Sequence, residues 1–358
     1  MTNAVTIAQQ GSNNTTFRNR IINGACVIDQ RNAGASGTAT GYNIDRWVFG
    51  ATLTTKGTWQ QNAGSVTPPT GFKNYLGFTS NSAYTPSTSD VFSFYQVIEG
   101  FNCADLMWGT ANAQTVTVSF WVRSSLTGTF GGALSNTTRS NPFSYTISSA
   151  NTWEQKTVTV TGDTSGTWNS TNGQGIFLFL TFGAGSTYQG TAGTWATADY
   201  RTVTGAVNTV GTNGATFYIT GVQLEAGSTA SPFEYRLYGT ELALCQRYLP
   251  AFSADATGYR LPGSGICYST TQGYVTLIYP QTTRVPATGI TVSSASHFTV
   301  DLDGVTAPTA TALSFASYSS LNAARIQMTV ASGMTTGYPF FLTISNSSGR
   351  IYFTGCEL

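Results

Sequence analysis

Residues 183–201, GAGSTYQGTAGTWATADYR, place two kinds of side chain in one Gly- and Thr-rich stretch: aromatic rings, and amide, carboxylate and guanidinium groups. That combination is what sugar binding needs. An exposed ring covers the C–H face of a pyranose, and the polar partners orient its hydroxyls. Tyr188, Gln189, Trp195, Asp199, Tyr200 and Arg201 form the candidate glycan-binding set. Trp108 and Trp168 lie in comparable Gly- and Asn-rich surroundings, whereas Trp47, Trp121 and Trp153 fall in or beside strand-like runs and are assigned to packing. The same loop suits a subunit contact equally well, because aromatic residues and Arg also dominate protein interfaces.

Catalytic chemistry has fewer materials. The single histidine, His297, sits in SSASHFTVDLDG without a second histidine, and any Ser/His/Asp triad would have to use it. No GxSxG elbow accompanies it, GSGICYS at Gly263 being only Gly- and Ser-rich, so His297 reads as a structural or surface residue. A glycosidase needs two carboxylates at a fixed gap. Asp90, Glu99, Asp105, Glu154, Asp163 and Asp199 are available, but their spacing joins no two of them in one cleft. Asp45 and Arg46 in NIDRW read as an ion pair or a turn, and Glu225 as the close of a strand. Asp301 and Asp303 in DLDG supply half of a calcium loop; the other ligands are missing and a DG hairpin turn is the simpler reading. No catalytic residue, metal or cofactor is assigned, and the chain is expected not to be an enzyme.

Composition narrows the partners. Charged residues are 9% of the 358, against roughly 25% in ordinary soluble proteins. With 16 basic and 15 acidic residues the formal charge is +1, and the lysines, Lys56, Lys73 and Lys156, do not cluster, which argues against nucleic acid. No run approaches the ~20 apolar residues of a membrane span, and the N-terminus lacks a charged start followed by an apolar run. Aromatic residues reach 13%, with 18 Tyr and 7 Trp, so some rings must lie at the surface or at interfaces. The odd number and wide spacing of Cys26, Cys103, Cys245, Cys267 and Cys356 point to free thiols and a chain made in the cytosol.

The elements that must position these residues are strands. Residues 1–39 are Asn-, Thr- and Gly-rich with one apolar island at 21–28. They read as a strap that adds a strand to the next domain or to a neighbour and attaches the chain to other proteins. In 40–235 short β-branched or aromatic runs recur at 47–49, 92–98, 115–122, 157–160, 176–182 and 216–224 between Gly, Asn, Ser and Pro breaks, which indicates an all-β sandwich. Val116, Val118, Phe120 and Val122 should share one face. In the last of these runs, Phe217 and Ile219 should oppose Tyr218, Val222 and Leu224. Residues 236–250 predict a short helix over 238–249, capped by Thr240. It should bury Leu242, Leu244 and Tyr248 between the two sandwiches or between subunits. Residues 251–358 repeat the β pattern in about seven runs, a second and smaller sandwich.

Two sets of motifs carry a family resemblance. FYITGVQLEAG at Phe217 resembles the closing strand of galactose-binding-like, carbohydrate-binding-module jelly rolls. That run continued through PFEYRLYGTELALCQRYL, together with RNRIINGACVIDQRNAG at Arg18, YNIDRW at Tyr42, QTVTVSFWVRSS at Gln114, NTWEQKTVTVTG at Asn151 and the ending GRIYFTGCEL, resembles virion structural proteins of tailed bacteriophages and prophages. The resemblance spans nearly the whole chain. It implies a jelly-roll topology for the first sandwich. It also implies a noncatalytic tail fibre or adhesin subunit on the virion exterior, assembled in the host cytoplasm as a homo-oligomer, a trimer by analogy with phage fibres. Its partners would be other virion proteins, through the strap, and bacterial surface glycans. A capsid or tail decoration protein is the alternative, and a polysaccharide-degrading enzyme the third reading. Such jelly rolls often hold a calcium ion near the closing strand, but Thr220 and Gly221 stand at positions that are frequently acidic.

Overall fold

Alternating apolar residues dictate most of what forms. The computed structural model describes residues 17–254, 260–302 and 307–358; Asp303 and the first part of the strap lie outside the described residues. Contacts divide the chain into two units, Met1–Leu237 with Leu358, and Tyr238–Glu357. Among the described residues both are all-β sandwiches apart from one α-helix and short 3₁₀ turns.

In the first unit two antiparallel sheets pack face to face, as in a jelly roll. One runs Gly41–Tyr42, Val48–Ala51, Val91–Glu99, Gln174–Ala184, Gly128–Ser135, Ser140–Ile147; the other runs Gly57–Gln61, Leu76–Ser80, Thr216–Ala226, Val116–Ser124, Glu154–Val160. Val116, Val118, Phe120 and Val122 all face the core, as their period of two demands. Aromatic rings bridge the sheets: Phe78 stacks on Phe182 at 4.3 Å between centroids and Phe120 meets Tyr145 edge-on at 5.0 Å. Strand Gln174–Ala184 is apolar on both sides. Ile176, Leu178, Leu180 and Phe182 enter the main core, while Phe177 and Phe179 join Val97 and Ala133 in a separate cluster on the opposite face.

Strand Thr216–Ala226 departs from simple alternation. Its pairing with Val116–Ser124 slips between Thr220 and Gln223, and Gly221 at the slip has φ +60°. One extra residue reverses which side the following residues face. Phe217 and Ile219 therefore share the main core with Val222 and Leu224, which strict alternation would have turned to the other face. Gly221 is required there: the conformation is left-handed, and a Cβ would come within 2.5 Å of the Phe72 ring.

The bulge leaves backbone groups that the chain's N-terminal segment pairs. Gly24 O accepts from Val222 N (2.9 Å), Arg20 N donates to Leu224 O (2.8 Å), and the Asn19 amide takes three further bonds. It donates to Val222 O (3.1 Å) and accepts from Leu224 N (3.1 Å) and Ile21 N (2.9 Å). On the opposite sheet the buried Gln96 side chain grips the Ile22 backbone in both directions, at 2.9 and 2.8 Å. Ile21, Ile22, Cys26 and Ile28 are buried as a result, and they are so without forming a strand of their own. The segment after the last strand closes over the same place. Glu234 accepts from Asn19 N (2.5 Å), Arg236 donates to the carbonyls of Asn19 and Ile21, and Arg18 donates to Pro232 O (2.7 Å).

The second unit pairs a three-stranded sheet, Ala251–Ser253, Arg350–Thr354, Gly289–Val292, with a six-stranded one, Phe298–Asp301, Pro339–Ile344, Arg260–Cys267, Gln272–Ile278, Ala323–Val330, Ala310–Ser319. Their shared core includes Val275, Leu277, Ile326, Met328, Phe340, Leu342, Ile351 and Phe353. The helix spans Tyr238–Gln246, starting two residues before the expected Thr240 cap. Its inward stripe includes Tyr248, as expected, but differs in the rest. Glu241, Cys245 and Tyr248 are buried, at spacings of four and three, whereas Leu242 and Leu244 flank the stripe and are half-buried.

Asn19→Ala removes one partner from three backbone groups at once. Buried groups left unpaired cost about 1–3 kcal/mol each, so the unfolding free energy from urea titration should fall by at least the lower figure for every group, and the loss should sit in the transition of the first unit. All five cysteines are buried thiols outside any disulfide. Burial pushes the Cys103 thiol up to about 12 and the Cys356 thiol to about 11, so both stay protonated at pH 8. A maleimide at that pH should label the native chain slowly and the urea-unfolded chain rapidly at all five positions.

Candidate functional site

The 183–201 loop begins where strand Gln174–Ala184 ends, and the chain around Asp90 fixes its start. Gly185 N donates to Asp90 O (2.9 Å) and Thr187 N to Thr88 O (3.0 Å). The Asp90 carboxylate in turn receives Tyr84 Oη (2.5 Å), Thr52 Oγ1 (2.8 Å) and Ser87 N (2.7 Å). Burial works to raise its pKa, but these donors outweigh it and hold the group below the usual carboxylate value. Further on, Gln189–Gly190 pairs in parallel with Thr202–Val203, and the buried Ser140 pins the excursion between them. Its backbone exchanges bonds with Ala196 at 3.0 and 2.9 Å, and its hydroxyl donates to Ala198 O (2.7 Å) and accepts from Tyr200 N (3.0 Å).

Within this frame the six candidate residues separate. Trp195 turns inward. Its indole donates to Thr161 O (2.8 Å), and its ring meets Trp108 and Trp168 edge-on at 5.3 and 5.6 Å, with Trp108 and Trp168 4.8 Å apart. All three rings pack against the main core. A buried ion pair secures the cluster: Asp163 accepts from Arg139 Nε and from Nη2 (2.7 Å), and also from Trp168 Nε1 (3.2 Å), while Arg139 Nη1 reaches Thr197 Oγ1 (3.2 Å). Gln189 spends its amide on Ala184 O (2.8 Å), and Tyr200 is held through its backbone by Ser140.

Tyr188, Asp199 and Arg201 come together. The Arg201 guanidinium lies between two rings, 4.6 Å from the Tyr188 centroid and 5.0 Å from that of Phe179. Asp199 Oδ2 accepts from Nη2 (2.7 Å) and Nε (3.1 Å) of the same guanidinium, and Asp199 Oδ1 is buried without a hydrogen-bond partner. Tyr95 extends the platform, 5.1 Å from Phe179 and 6.1 Å from Phe177. Burial raises its phenol above the ordinary value, with the Arg201 charge pulling the other way. Phe179 and Tyr95 were absent from the loop-based set. Their signal was in the strand: an apolar run on both faces means that the outward positions also meet something apolar.

The other candidates for chemistry are engaged elsewhere. Asp105 takes Arg20 in two parallel bonds (2.8 and 2.5 Å), and Glu154 takes Lys156 (2.5 Å) with Ser148 N and Ser149 N (2.9 and 2.8 Å). Asp45 receives Gln30 N (2.9 Å) and Gln30 Nε2 (2.5 Å), while Arg46 donates to Val97 O (2.6 Å). Glu225 caps the turn at Ser231, accepting its N–H (2.8 Å) and hydroxyl (2.5 Å). His297 Nδ1 contacts Ser293 Oγ at 2.8 Å, and that hydroxyl also accepts from Arg350 N (3.0 Å), the arrangement of a turn. Among the described residues no group of three His, Cys, Asp or Glu side chains could hold a metal ion, and no helix is long and apolar enough to cross a membrane.

No family model matches the chain, and no curated protein matches it. Among solved structures it is similar to the enzymatically active domain of bacteriophage CBA120 tailspike protein 4, at 13% identity and a TM-score of 0.33, over 59% of this chain and 22% of the tailspike chain. It is also similar to a putative sugar binding protein from Bacteroides thetaiotaomicron (10% identity, TM-score 0.36, 58% of this chain and all of that one) and to TmCBM61 in complex with β-1,4-galactotriose (11%, 0.29, 59% and 99%). At TM-scores this low the overlaps carry no functional argument.

The two rings of the loop should respond differently to truncation. Trp195→Ala opens a gap beside two other indoles and orphans Thr161 O, so thermal unfolding should report a loss of about 2–4 kcal/mol. Tyr188→Ala removes a half-buried ring over a guanidinium and should cost about 1 kcal/mol. Equal losses would contradict the inward packing of Trp195.

Proposed function

We propose that the chain is a noncatalytic, exterior virion protein of a tailed phage, a tail fibre or adhesin subunit that binds host surface glycans through the platform of Tyr188, Arg201 and Asp199. One observation carries this reading: Arg201 is clamped between Tyr188 and Phe179 and neutralised by Asp199, which presents a rigid polar and aromatic surface without net charge. Such a surface matches a neutral sugar, whose C–H face takes the ring and whose hydroxyls take the guanidinium edge and the carboxylate. The sequence resemblance to phage virion proteins sets the context, and the chain's scarcity of charge suits repeated copies packed side by side, whose weak contacts add through avidity.

Tyr188→Ala in the whole 358-residue chain should keep its fold by circular dichroism and lose about tenfold in glycan-array binding, the worth of one aromatic contact of about 1.4 kcal/mol. Tyr188→Phe should keep most of the binding. A folded Tyr188→Ala protein that binds cells and glycans as the parent does would overturn the assignment. Failure of the variant to assemble would instead support the decoration reading.

A further inference from the structure

The second unit holds another arginine set against two aromatic rings, and among the described residues this one meets no carboxylate. Alternation along Gln272–Ile278 and Ala323–Val330 sends Val275, Leu277, Ile326 and Met328 into the core, which puts Tyr274, Thr276 and Arg325 on the outer face, with Thr276 directly opposite Arg325. The neighbouring strand Ala310–Ser319 loses register between Phe315 and Ser319, where Ser317 has φ +59°. The irregularity throws Tyr318 outward, 64% exposed, and over the arginine. The guanidinium lies 4.1 Å from the Tyr318 centroid and 4.5 Å from that of Tyr274. Around it is an open depression of about 460 Å³ lined by Thr276, Ser317, Tyr318, Ser319, Ser320 and Arg325.

Two features give this depression a ligand chemistry. Arg325 forms no ion pair among the described residues and its Nε is buried without a hydrogen-bond partner, whereas Arg20, Arg139, Arg201 and Arg236 each meet an acid. Tyr274 and Tyr318, with ring centroids 4.5 and 4.1 Å from the guanidinium carbon, strip water from it and leave its two terminal NH2 groups as the binding edge, which fits the two coplanar oxygens of a carboxylate. A single cation matches a monoanion. The hydroxyls around it fit a polyol, and the outer face of Tyr318 offers a stacking surface. We propose that the Tyr274–Arg325–Tyr318 depression binds an acidic sugar, a pyranose bearing a carboxylate. The site stands on the second unit alone, so it survives or fails independently of the Tyr188 platform.

The test uses the full chain, titrated calorimetrically with tetragalacturonate, its methyl ester, a disialic acid and inorganic phosphate. At least one of the two acidic sugars should bind. Arg325→Gln should weaken that binding about tenfold or more, the worth of a charge-assisted bidentate contact. Arg325→Lys should recover part of it, and for tetragalacturonate esterification should match the effect of Arg325→Gln. Tyr318→Ala, a change at an exposed ring, gives a second folded variant and should weaken binding as well. The proposal is overturned if neither acidic sugar binds, if the ester binds as well as the acid, or if Arg325→Gln with an unchanged melting temperature binds as tightly as the parent. Phosphate binding that is equally sensitive to Arg325→Gln, without sugar binding, would make this a plain anion site and overturn it too.

Discussion

The first unit depends on the junction between residues 19–24 and the bulge in strand Thr216–Ala226. A bulge in a central strand leaves backbone donors and acceptors that the ladder cannot serve, and buried groups of that kind must be paired. Here Asn19, Arg20 and Gly24 pair them from a segment some 200 residues earlier in the chain, and Gln96 holds Ile22 from the opposite sheet. The constraint runs both ways. Without the bulge, Val222 and Leu224 would leave the core; without the N-terminal segment, the bulge would be an uncompensated defect. Glu234 and Arg236 then clamp the segment from outside, so two motifs distant in sequence, RNRIING and PFEYR, serve one joint.

Scarcity of charge explains how the remaining ions are used. Exposed ion pairs contribute little to stability, and this chain makes few of them. Its arginines pair with partly buried acids, lie against rings or donate to carbonyls. Arg139 binds Asp163 beneath the indole cluster, Arg201 lies between Tyr188 and Phe179, and Arg284 donates to Cys356 O (2.9 Å). A planar, weakly hydrated guanidinium tolerates such positions better than an ammonium does, in keeping with the rarity of lysine in the sequence.

Much of the fold was legible because core strands such as Val116–Ser124 alternate cleanly and Gln174–Ala184 is continuously apolar. Strands Gly128–Ser135, Ser140–Ile147 and Arg260–Cys267 were not, because GTFGGALS, SNPFSYTI and RLPGSGIC carry the Gly and Pro that ordinarily mark breaks. The sequence could show neither the bulge at Gly221 nor the true stripe of the helix, since a one-residue shift exchanges the buried set while leaving the composition unchanged. The site was half legible. Ring-rich loop composition marked the segment that carries Tyr188, Asp199 and Arg201, but whether Trp195 faces water or protein depends on Trp108, Asp163 and Trp168, which only the fold brings to it.

The two ring-bound arginines differ most in their charge partners, and on that difference the two proposed ligand classes rest. At Arg201 the acid lies two residues back in the same chain, so the guanidinium's charge is already met and its remaining valence is that of a hydrogen-bond donor beside an acceptor. Neutral polyols offer both partners, and an anion would be repelled by Asp199. At Arg325 the depression carries Thr276 and the hydroxyls of 317–320, none of them ionisable in the relevant range. The positive charge is left for whatever enters. Aromatic rings are shared, so in the proposed readings both ligands are flat-faced, and the carboxylate beside Arg201, without a counterpart at Arg325 among the described residues, separates a neutral ligand from an acidic one.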